Sequence, residues 1–209
     1  YWAIANSPGR LASAATGSGY SRMAITASTL AEFIRSLGYR AIPAGNGFGL
    51  SIPIAVDAGL GEVGRLGLLT TPRYGPRVRL AKVLTDLPLQ PDRPIELGVW
   101  DFCRICKKCA KKCPSQSIMD GEPTEAIHNI SNREGVRAWH IDAETCLSFW
   151  ARNGTDCSNC IRVCPFNKPS GKFHDMVRRA INRDRRLNQL FLWGDDVMGY
   201  GKKKDSNLF

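Results

Sequence analysis

Eight cysteines between residues 103 and 164 carry the strongest chemical signal in this chain, and they fall into two sets. The first set has the spacing C-x2-C-x2-C-x3-C-P and consists of Cys103, Cys106, Cys109 and Cys113. The second has the spacing C-x10-C-x2-C-x3-C-P and consists of Cys146, Cys157, Cys160 and Cys164. In two-cluster ferredoxins the cysteine before the proline ligates the other cluster. The sequence therefore predicts two 4Fe–4S clusters, one on Cys103, Cys106, Cys109 and Cys164 and the other on Cys113, Cys146, Cys157 and Cys160.

Three other uses of cysteine are the alternatives. A zinc site also uses C-x2-C pairs, but it needs two pairs at looser spacing and no third cysteine in the same loop. Four disulfides suit a short secreted chain, yet neighbouring cysteines lie too close here for most pairings. Free structural thiols would not repeat at these intervals. Because the full pattern occurs twice with proline in the same place, it favours iron–sulfur clusters.

The length and composition of the chain indicate which class of protein holds these clusters. The chain has 209 residues, of which 43% are hydrophobic and 23% charged, as in ordinary globular proteins. It has no run of about 18 apolar residues, which excludes a membrane-spanning helix. It begins with Tyr1 and has no leader, so we expect it to be part of a longer protein.

The formal charge of +10 is concentrated in the first cysteine loop and in the tail. Nucleic-acid binding is one interpretation of such a charge. The aromatic residues that single-strand binders interleave with cations are absent from these stretches. We therefore expect the cations to offset the negative charge of the clusters, and we expect no nucleic-acid partner.

Apolar spacing and turn residues predict the elements that must position the cysteines. Residues 1–19 are expected to be loop-rich, because Gly17-Ser18-Gly19 reads as a break. Helices are predicted over 20–37, over 51–58 with Ser51 as the N-cap, and over 171–193, with a short helical turn at 113–118. Strands are predicted over 39–43, 66–71 and 78–85.

Two glycine-rich stretches precede the cysteines. Residues 44–49 form a loop that can bring the backbone close to a ligand. Gly59, Gly61 and Gly64 match G-x-G-x-x-G, which binds dinucleotides only where a helix follows directly. Gly67 and Pro72 would break that helix, so nicotinamide binding is not expected.

Four motifs together resemble the reductive dehalogenases, corrinoid-dependent iron–sulfur enzymes that cut carbon–halogen bonds. They are A-G-L-G-E-V-G-R-L-G-L-L-T-T-P-R-Y-G-P-R-V-R at 58–79, T-D-L-P-L at 85–89, F-C-R-I-C-K-K-C at 102–109 and G-D-D-V-M-G-Y-G at 194–201. The resemblance covers nearly all of this chain but only the C-terminal half or so of such an enzyme. The glycine-rich stretch alone is less specific, because epoxyqueuosine reductases carry a similar one beside two 4Fe–4S clusters.

The resemblance implies an α+β fold. Residues 1–95 would be the C-terminal part of a nitroreductase-like domain that holds a base-off corrinoid, and 96–209 a ferredoxin-like domain with the two clusters. It also implies a site over the cobalt, with Tyr20 as proton donor and Arg79 and Asn46 beside it. Trp150 would line the substrate pocket. The glycines expected to contact the corrinoid are Gly45, Gly47, Gly59, Gly61 and Gly64.

The chemistry is consistent with these assignments. Replacing a halide by hydrogen takes two electrons and one proton, and a low-potential metal centre fed by two clusters supplies the electrons. A free phenol ionises only at about pH 10, so a neighbouring guanidinium must favour its anion at neutral pH. The plainer alternatives are that Tyr20 packs at a helix start, that Asn46 is a left-handed turn residue and that Arg79 is a surface residue.

His128, His140 and His174 are expected to be surface or packing residues. No D-x-H-x-x-G motif occurs in the sequence, so a histidine ligand to the cobalt has no support. A corrinoid without a protein axial ligand is what the resemblance implies.

The resemblance implies further a respiratory enzyme on the outer face of the cytoplasmic membrane. Its partners would be an organohalide, a small integral-membrane anchor protein and a membrane electron donor. Two alternatives stand beside it. An epoxyqueuosine reductase would act on tRNA with an acidic proton donor, and a ferredoxin-like electron carrier would leave the residues before the cysteines without a purpose.

Overall fold

The computed structural model describes residues 1–205, and its longest element is helix α1, Arg10–Ser36. The expectation of a loop-rich start was therefore wrong from residue 10 onward, and Gly17, Ser18 and Gly19 lie inside the helix. A glycine in a helix interior costs about 1 kcal/mol relative to alanine. Tertiary packing offsets this cost, because α1 buries a stripe of small and aliphatic residues that includes Ala12, Ala27, Ala31 and Ile34.

A two-stranded antiparallel sheet packs on the C-terminal half of α1. Strand β1, Ala41–Ala44, pairs with the later strand Lys82–Thr85, so that Ala41 lies opposite Thr85. Ala31, Ile34 and Ala41 form the small core between helix and sheet. Strands were predicted at both places, and the second is shorter than predicted.

Helix α2, Ser51–Asp57, follows β1 as predicted, but Ser51 is not its cap. The N-cap position is Leu50, without a side-chain hydrogen bond. Ser51 is instead the first helical residue, and its hydroxyl accepts a hydrogen bond from the Lys82 amine at 2.8 Å. The side chain thus ties α2 to the strand that pairs with β1.

The glycine-rich stretch forms a second, very short antiparallel sheet of β2, Glu62–Val63, and β3, Leu69–Thr70. The predicted strand at 66–71 is reduced to these two residues of β3, and the strand 82–85 (β4) pairs with β1 rather than with it. The packing explains why residue 61 is glycine, since a Cβ on Gly61 would lie 2.3 Å from the Thr70 carbonyl oxygen. This sheet therefore requires glycine for close backbone approach.

The cysteine-bearing half is built from short helices. They are α3, Val99–Cys106; α4, Lys108–Lys111; α5, Ala143–Asn153; and α6, Asn159–Arg162. Its core contains Cys103, Cys109 and Cys164 among aromatic and aliphatic side chains, and Leu66 of the glycine-rich stretch joins it. The predicted boundary at residue 95 stays a prediction, and this packing shows that contacts cross it.

The two cysteine sets repeat one local structure. Lys107 and Ser158, each two residues before the third cysteine of its set, both have left-handed backbone, with φ of 52° and 55°. Each serves as the N-cap of its helix, α4 or α6, and the two helices contact each other.

No helical turn forms at 113–118, contrary to the prediction. Gln116 has φ of 53° there, and Ile118 instead makes an antiparallel bridge to Ile141.

The tail forms two helices, α7, Lys172–Arg183, and α8, Asn188–Val197, rather than the single predicted helix over 171–193. The break is at Asp184, whose backbone is extended and whose carboxylate accepts from the Arg186 N–H at 2.9 Å. Asp favours such side-chain-to-backbone bonds over a helix interior. None of the helices within residues 1–205 has the length and hydrophobicity needed to cross a membrane.

Glu62 connects the glycine-rich stretch to the start of α3. Its carboxylate accepts hydrogen bonds from three backbone N–H groups, those of Leu97 at 2.9 Å, Val99 at 3.1 Å and Trp100 at 2.8 Å. The first N–H groups of a helix have no partner within it, and an acidic acceptor there also interacts favourably with the helix dipole. Because α3 carries Cys103 and Cys106, Glu62 fixes the start of the helix that presents two thiols.

We expect Glu62→Ala to destabilise the protein by about 2 kcal/mol, because three backbone donors lose a charged acceptor. The measurement is the denaturant midpoint of the iron-loaded protein, together with its iron content. Glu125→Ala removes an exposed carboxylate elsewhere and serves as the matched control. Equal midpoints for the two variants would show that Glu62 does not stabilise α3.

Candidate functional site

The first group of thiols lies in the core of the cysteine-bearing half. Cys103, Cys109 and Cys164 are buried, and Cys106 is partly exposed. Burial raises the pKa of Cys103 to about 12 and that of Cys106 to about 11. The pKa of Cys164 lies well above its usual range, first through burial and then through the charges of Cys103, Cys106 and Cys109. These four thiols therefore interact with one another, and they are the four that the spacing assigned to the first cluster.

The second group is formed by the remaining four thiols. Burial raises the pKa of Cys160 to about 12, and the charges of Cys157, Cys146 and Cys113 raise it further. The pKa of Cys146 is raised by burial and then by Cys113 and Cys157. Cys146 is distant in sequence, and α5 brings it to the others. This grouping is again the one that the spacing assigned.

The two groups are neighbours. The pKa of Cys109 is raised by burial, then by Cys103 and Cys106 of its own group, and then by Cys160 of the second group. Cys109 lies in α4 and Cys160 in α6, the two helices that contact each other. Electrons could therefore pass between centres held by the two groups.

The donor set fits iron–sulfur clusters. All eight cysteines are free thiols, and burial disfavours their anions while a metal binds only the anion. A bound cluster would therefore supply the positive charge that this arrangement requires. Within residues 1–205 no three or more His, Cys, Asp or Glu side chains come together in the way that a single metal ion needs. The fit depends on the interactions between thiols described above, and ligation itself stays a prediction.

The second thiol group forms one wall of a cavity of about 480 Å³. Tyr20, Arg79 and Trp150 line the same cavity. Aliphatic and aromatic side chains, among them Leu68 and Phe149, complete the lining. Three residues predicted from the resemblance and four predicted ligands thus face one space, although they come from four separate stretches of chain.

Tyr20 is at the centre of the polar contacts beside this cavity. The Asn46 amide donates a hydrogen bond to the Tyr20 hydroxyl over 3.3 Å. The Arg79 guanidinium carbon lies 4.8 Å from the centre of the Tyr20 ring, a cation–π arrangement. Arg79 is held there by a hydrogen bond from its Nη1 to the Val78 carbonyl at 3.0 Å. The structure therefore brings Tyr20, Asn46 and Arg79 together.

Local backbone explains how these three meet. Gly19 of α1 lies next to the Arg79 side chain, because a Cβ built on it would be 3.4 Å from Cγ of Arg79. Tyr20 is 41% exposed and faces outward from the helix. Asn46 is not the left-handed turn residue of the plainer interpretation. In residues 1–205 the only non-glycine residues with positive φ are Lys107, Gln116 and Ser158.

The glycines predicted to contact a corrinoid divide into two kinds. A Cβ on Gly59 would meet the Arg93 carbonyl oxygen at 2.6 Å, and one on Gly64 would lie 3.3 Å from the Cys103 sulfur. Like Gly61, these positions require glycine for contacts within the chain itself. A Cβ on Gly45 would have Met23 as its only neighbour within 4 Å, at 3.7 Å, and a Cβ on Gly47 would have none. Corrinoid contact stays a prediction for all five.

None of the histidines lines the Tyr20 cavity. His128 is exposed, and His140 is buried with its Nε2 hydrogen-bonded to the Thr124 carbonyl at 3.0 Å. The Nε2 of His174 pairs with the Tyr200 hydroxyl at 2.8 Å. Two of the three thus have structural partners in the described part of the chain.

Sequence reasoning missed Arg65, which is fully buried beneath the first thiol group. Its backbone N–H donates to the Cys103 sulfur at 3.4 Å, and its guanidinium donates to the carbonyls of Cys103, Met119 and Gly121. The guanidinium also lies 4.6 Å from the Trp139 ring. The Arg65 charge lowers the pKa values of Cys103, Cys106 and Cys109 and so offsets part of the effect of their burial. The one sequence signal at Arg65 is its position in the glycine-rich motif, and nothing in the neighbouring residues predicts that its side chain is buried.

The comparisons with known proteins agree with this geometry. A family described as the 4Fe-4S double cluster binding domain matches residues 102–167. A tetrachloroethene reductive dehalogenase of Sulfurospirillum multivorans is 46% identical over 198 residues, which are 95% of this chain and 40% of that protein. The chain thus spans about two fifths of that relative's length. It is a homologue of the reductive dehalogenases over most of its own length.

Solved structures give the same result for the fold. A catabolic reductive dehalogenase, NpRdhA, superposes with a TM-score of 0.85 and 29% identity, over 97% of this chain and 29% of that one. By sequence, the epoxyqueuosine reductase of Bacillus subtilis is 33% identical, but over a shorter stretch, which is 55% of this chain and 28% of that protein. An α+β fold with a double-cluster domain is therefore established, and two 4Fe–4S clusters are supported by the family match and the cysteines.

The grouping across the two cysteine sets can be tested by paired substitutions. We expect Cys113→Ser and Cys146→Ser to remove the same paramagnetic signal of the reduced protein, and Cys103→Ser and Cys164→Ser to remove the other. In each variant the iron content should fall to about half, because one of two clusters is lost. The measurement is electron paramagnetic resonance with iron analysis. A shared loss in Cys103→Ser and Cys113→Ser would contradict the grouping.

Proposed function

We propose that this homologue of the reductive dehalogenases carries the electron-entry and proton-donating part of a corrinoid-dependent reductive dehalogenase. The observation that supports this best is the cavity that Tyr20 and Arg79 share with the second thiol group. Reductive removal of a halide needs electrons and a proton at one place. Here a proton donor and an electron-transfer centre face the same space.

In this proposal the clusters and a base-off corrinoid supply low-potential electrons, and the residues of the chain handle the proton. The Tyr20 hydroxyl donates the proton to the carbon that loses the halide. Asn46 orients that hydroxyl through its hydrogen bond. Arg79 lies over the ring, where its positive charge stabilises the phenolate that remains.

The lining of the cavity fits a small apolar substrate. Leu66, Leu68, Ile141 and Phe149 contribute apolar surface, and Trp150, which is 40% exposed, closes one side. Apolar walls with a few convergent polar groups are typical of small-molecule sites. We therefore infer an organohalide as the substrate class, with Trp150 in its pocket.

Tyr20 and Asn46 would contact the corrinoid. Both side chains are exposed, and a Cβ on Gly47 would have no neighbour within 4 Å. We propose that residues 1–95 belong to a nitroreductase-like domain around the corrinoid and that residues 96–209 form the ferredoxin-like domain. No histidine lines the Tyr20 cavity in the described chain, so a protein ligand to the cobalt is not part of the proposal.

We also infer the cellular setting from the resemblance. A small integral-membrane anchor protein would hold the enzyme on the outer face of the cytoplasmic membrane, and a membrane electron donor would feed it during anaerobic organohalide respiration. Fractionation of the full-length protein with and without the anchor tests this part separately.

The epoxyqueuosine reductase reading has one observation in its favour, the sequence match to that enzyme of Bacillus subtilis. That enzyme class uses an acidic donor, and the carboxyl group that lines this cavity is Asp156. Asn46 and Arg79 contact Tyr20, whereas the Asp156 carboxylate pairs with the neighbouring Thr155 hydroxyl, and this favours the phenol as the donor. A plain electron carrier would not need the contacts among Tyr20, Asn46 and Arg79. Assays with tetrachloroethene and with epoxyqueuosine-modified tRNA on the full-length protein separate the three.

We expect Tyr20→Phe to lower the dehalogenation rate at least about 100-fold, because general-acid catalysis contributes that much or more. Cluster and corrinoid contents should be unchanged. The measurement is kcat of the full-length enzyme with a fixed reductant. Tyr39→Phe removes an exposed phenol away from the cavity and is the control. Wild-type turnover by Tyr20→Phe would remove Tyr20 from the mechanism.

Arg79 is expected to act through its charge. Arg79→Met should lower kcat about 100-fold, and Arg79→Lys should restore activity to within about tenfold of the wild type, since a cation remains near the ring. The measurement is kcat of the full-length enzyme with a fixed reductant. If Arg79→Lys and Arg79→Met behave alike, packing rather than charge explains the residue.

A further inference from the structure

A second cavity, of about 610 Å³, lies beside the first thiol group. Cys106 lines it, and Cys106 is the only partly exposed thiol of that group within the described chain. The Tyr20 cavity, by contrast, is lined by thiols of the second group alone. The two thiol groups thus open onto different cavities, and the helices that carry Cys109 and Cys160 contact each other.

The Cys106 cavity is strongly basic. Six cations and one carboxylate line it, and the cations are Lys108, Lys111, Lys112, Arg162, Lys202 and Lys203. The carboxylate, Asp196, is already paired with Lys108 at 2.7 Å. Lys111, Lys112, Lys202 and Lys203 are exposed, and none of them forms an ion pair with a carboxylate in residues 1–205. This surface therefore has positive charge that the described chain does not neutralise.

Apolar side chains also line this cavity. Ile105, next to Cys106, is 40% exposed, and Leu192 of α8 belongs to the same lining. Protein–protein interfaces combine apolar contacts with polar and charged side chains at their edge. Electron-transfer encounters are at the small end of interface sizes and are steered by charge.

A buried ion network lies next to the exposed lysines. Lys108 donates to Asp195 at 2.5 Å, and Lys168 also pairs with Asp195, which is only 5% exposed. Asp195 lies in α8 and Lys108 in α4, so the network ties α8 to the helix that carries Cys109 and Lys111.

We propose that the surface formed by Ile105, Cys106, Lys111, Lys112, Lys202 and Lys203 is the docking site of a small acidic electron-transfer protein. The carrier loses one electron to the centre held by the first thiol group, and no bond is made or broken. The inference rests on the proposed function, since the carrier would bring electrons from the membrane electron donor to this surface, and those electrons are used at the Tyr20 cavity. Charge complementarity selects an acidic partner, and the sulfur at the base of the cavity selects a redox protein over a nucleic acid.

The test uses the full-length, cluster-loaded protein and a reduced acidic plant-type ferredoxin as the probe. The variant is Lys111→Glu with Lys112→Glu, and the matched control is Arg179→Glu with Arg183→Glu, which reverses the same charge on the exposed face of α7. Stopped-flow bleaching of the clusters gives the reduction rate, with photoreduced deazariboflavin as a small uncharged reductant. Calorimetry with oxidised ferredoxin gives binding without any turnover.

At low ionic strength we expect the Lys111/Lys112 variant to be reduced by ferredoxin about tenfold more slowly and to bind it correspondingly more weakly. Reduction by deazariboflavin should be unchanged, and the control should behave like the wild type. The rate of the variant should also depend less steeply on salt. Lys202→Glu with Lys203→Glu should give the same pattern, which guards against a local folding defect in the first variant.

Three outcomes would overturn the proposal. They are an unchanged ferredoxin rate in both lysine variants, an equal loss in the Arg179/Arg183 control, and weaker binding of an RNA stem–loop with ferredoxin reduction unchanged. The last would assign the surface to nucleic acid. Dehalogenation is not read out here, so loss of the proposed function and loss of this docking site give different results.

Discussion

The constraint on which this structure depends is the burial of thiolate charge. Cys103, Cys109 and Cys164 are part of the hydrophobic core, packed among Phe102, Phe166 and other apolar side chains. Burial raises the pKa of these thiols, so their anions are costly without a cation. Iron bound to the thiolates removes that cost, which makes the core and the cofactors one energetic unit.

The glycine-rich motif is best understood as the support of that unit. Its sequence resembles a dinucleotide loop, yet Gly61 and Gly64 bring the backbone against Thr70 and Cys103. From this close position Glu62 caps α3 and Arg65 reaches the Cys103 sulfur and carbonyl. The same stretch leads on to Arg79, so one segment both fixes the first thiols and delivers the cation beside Tyr20.

Sequence reasoning was strongest where spacing is a direct consequence of chemistry. The cysteine intervals predicted two sets of four ligands, and the fold brings the thiols of each set near one another, while ligation itself stays a prediction. A helix at 51–58 and a strand at 39–43 were also predicted, and α2 and β1 lie there, although Ser51 is not the cap of α2. Sequence reasoning failed where a distant contact decides the local structure. Gly17 and Gly19 looked like a helix break, but α1 runs through them and Arg79 passes beside Gly19. The partners of Glu62 lie 35 or more residues away, so no local pattern marks it as a cap.

The central claim is that the second thiol group, rather than the first, lies beside the proton donor. Anomalous diffraction at the iron edge on crystals of the full-length, cluster-loaded protein tests it directly. The account expects two iron centres, with the one nearer the Tyr20 hydroxyl surrounded by Cys113, Cys146, Cys157 and Cys160. An iron centre beside Tyr20 that is held by Cys103, Cys106 and Cys109 would contradict it.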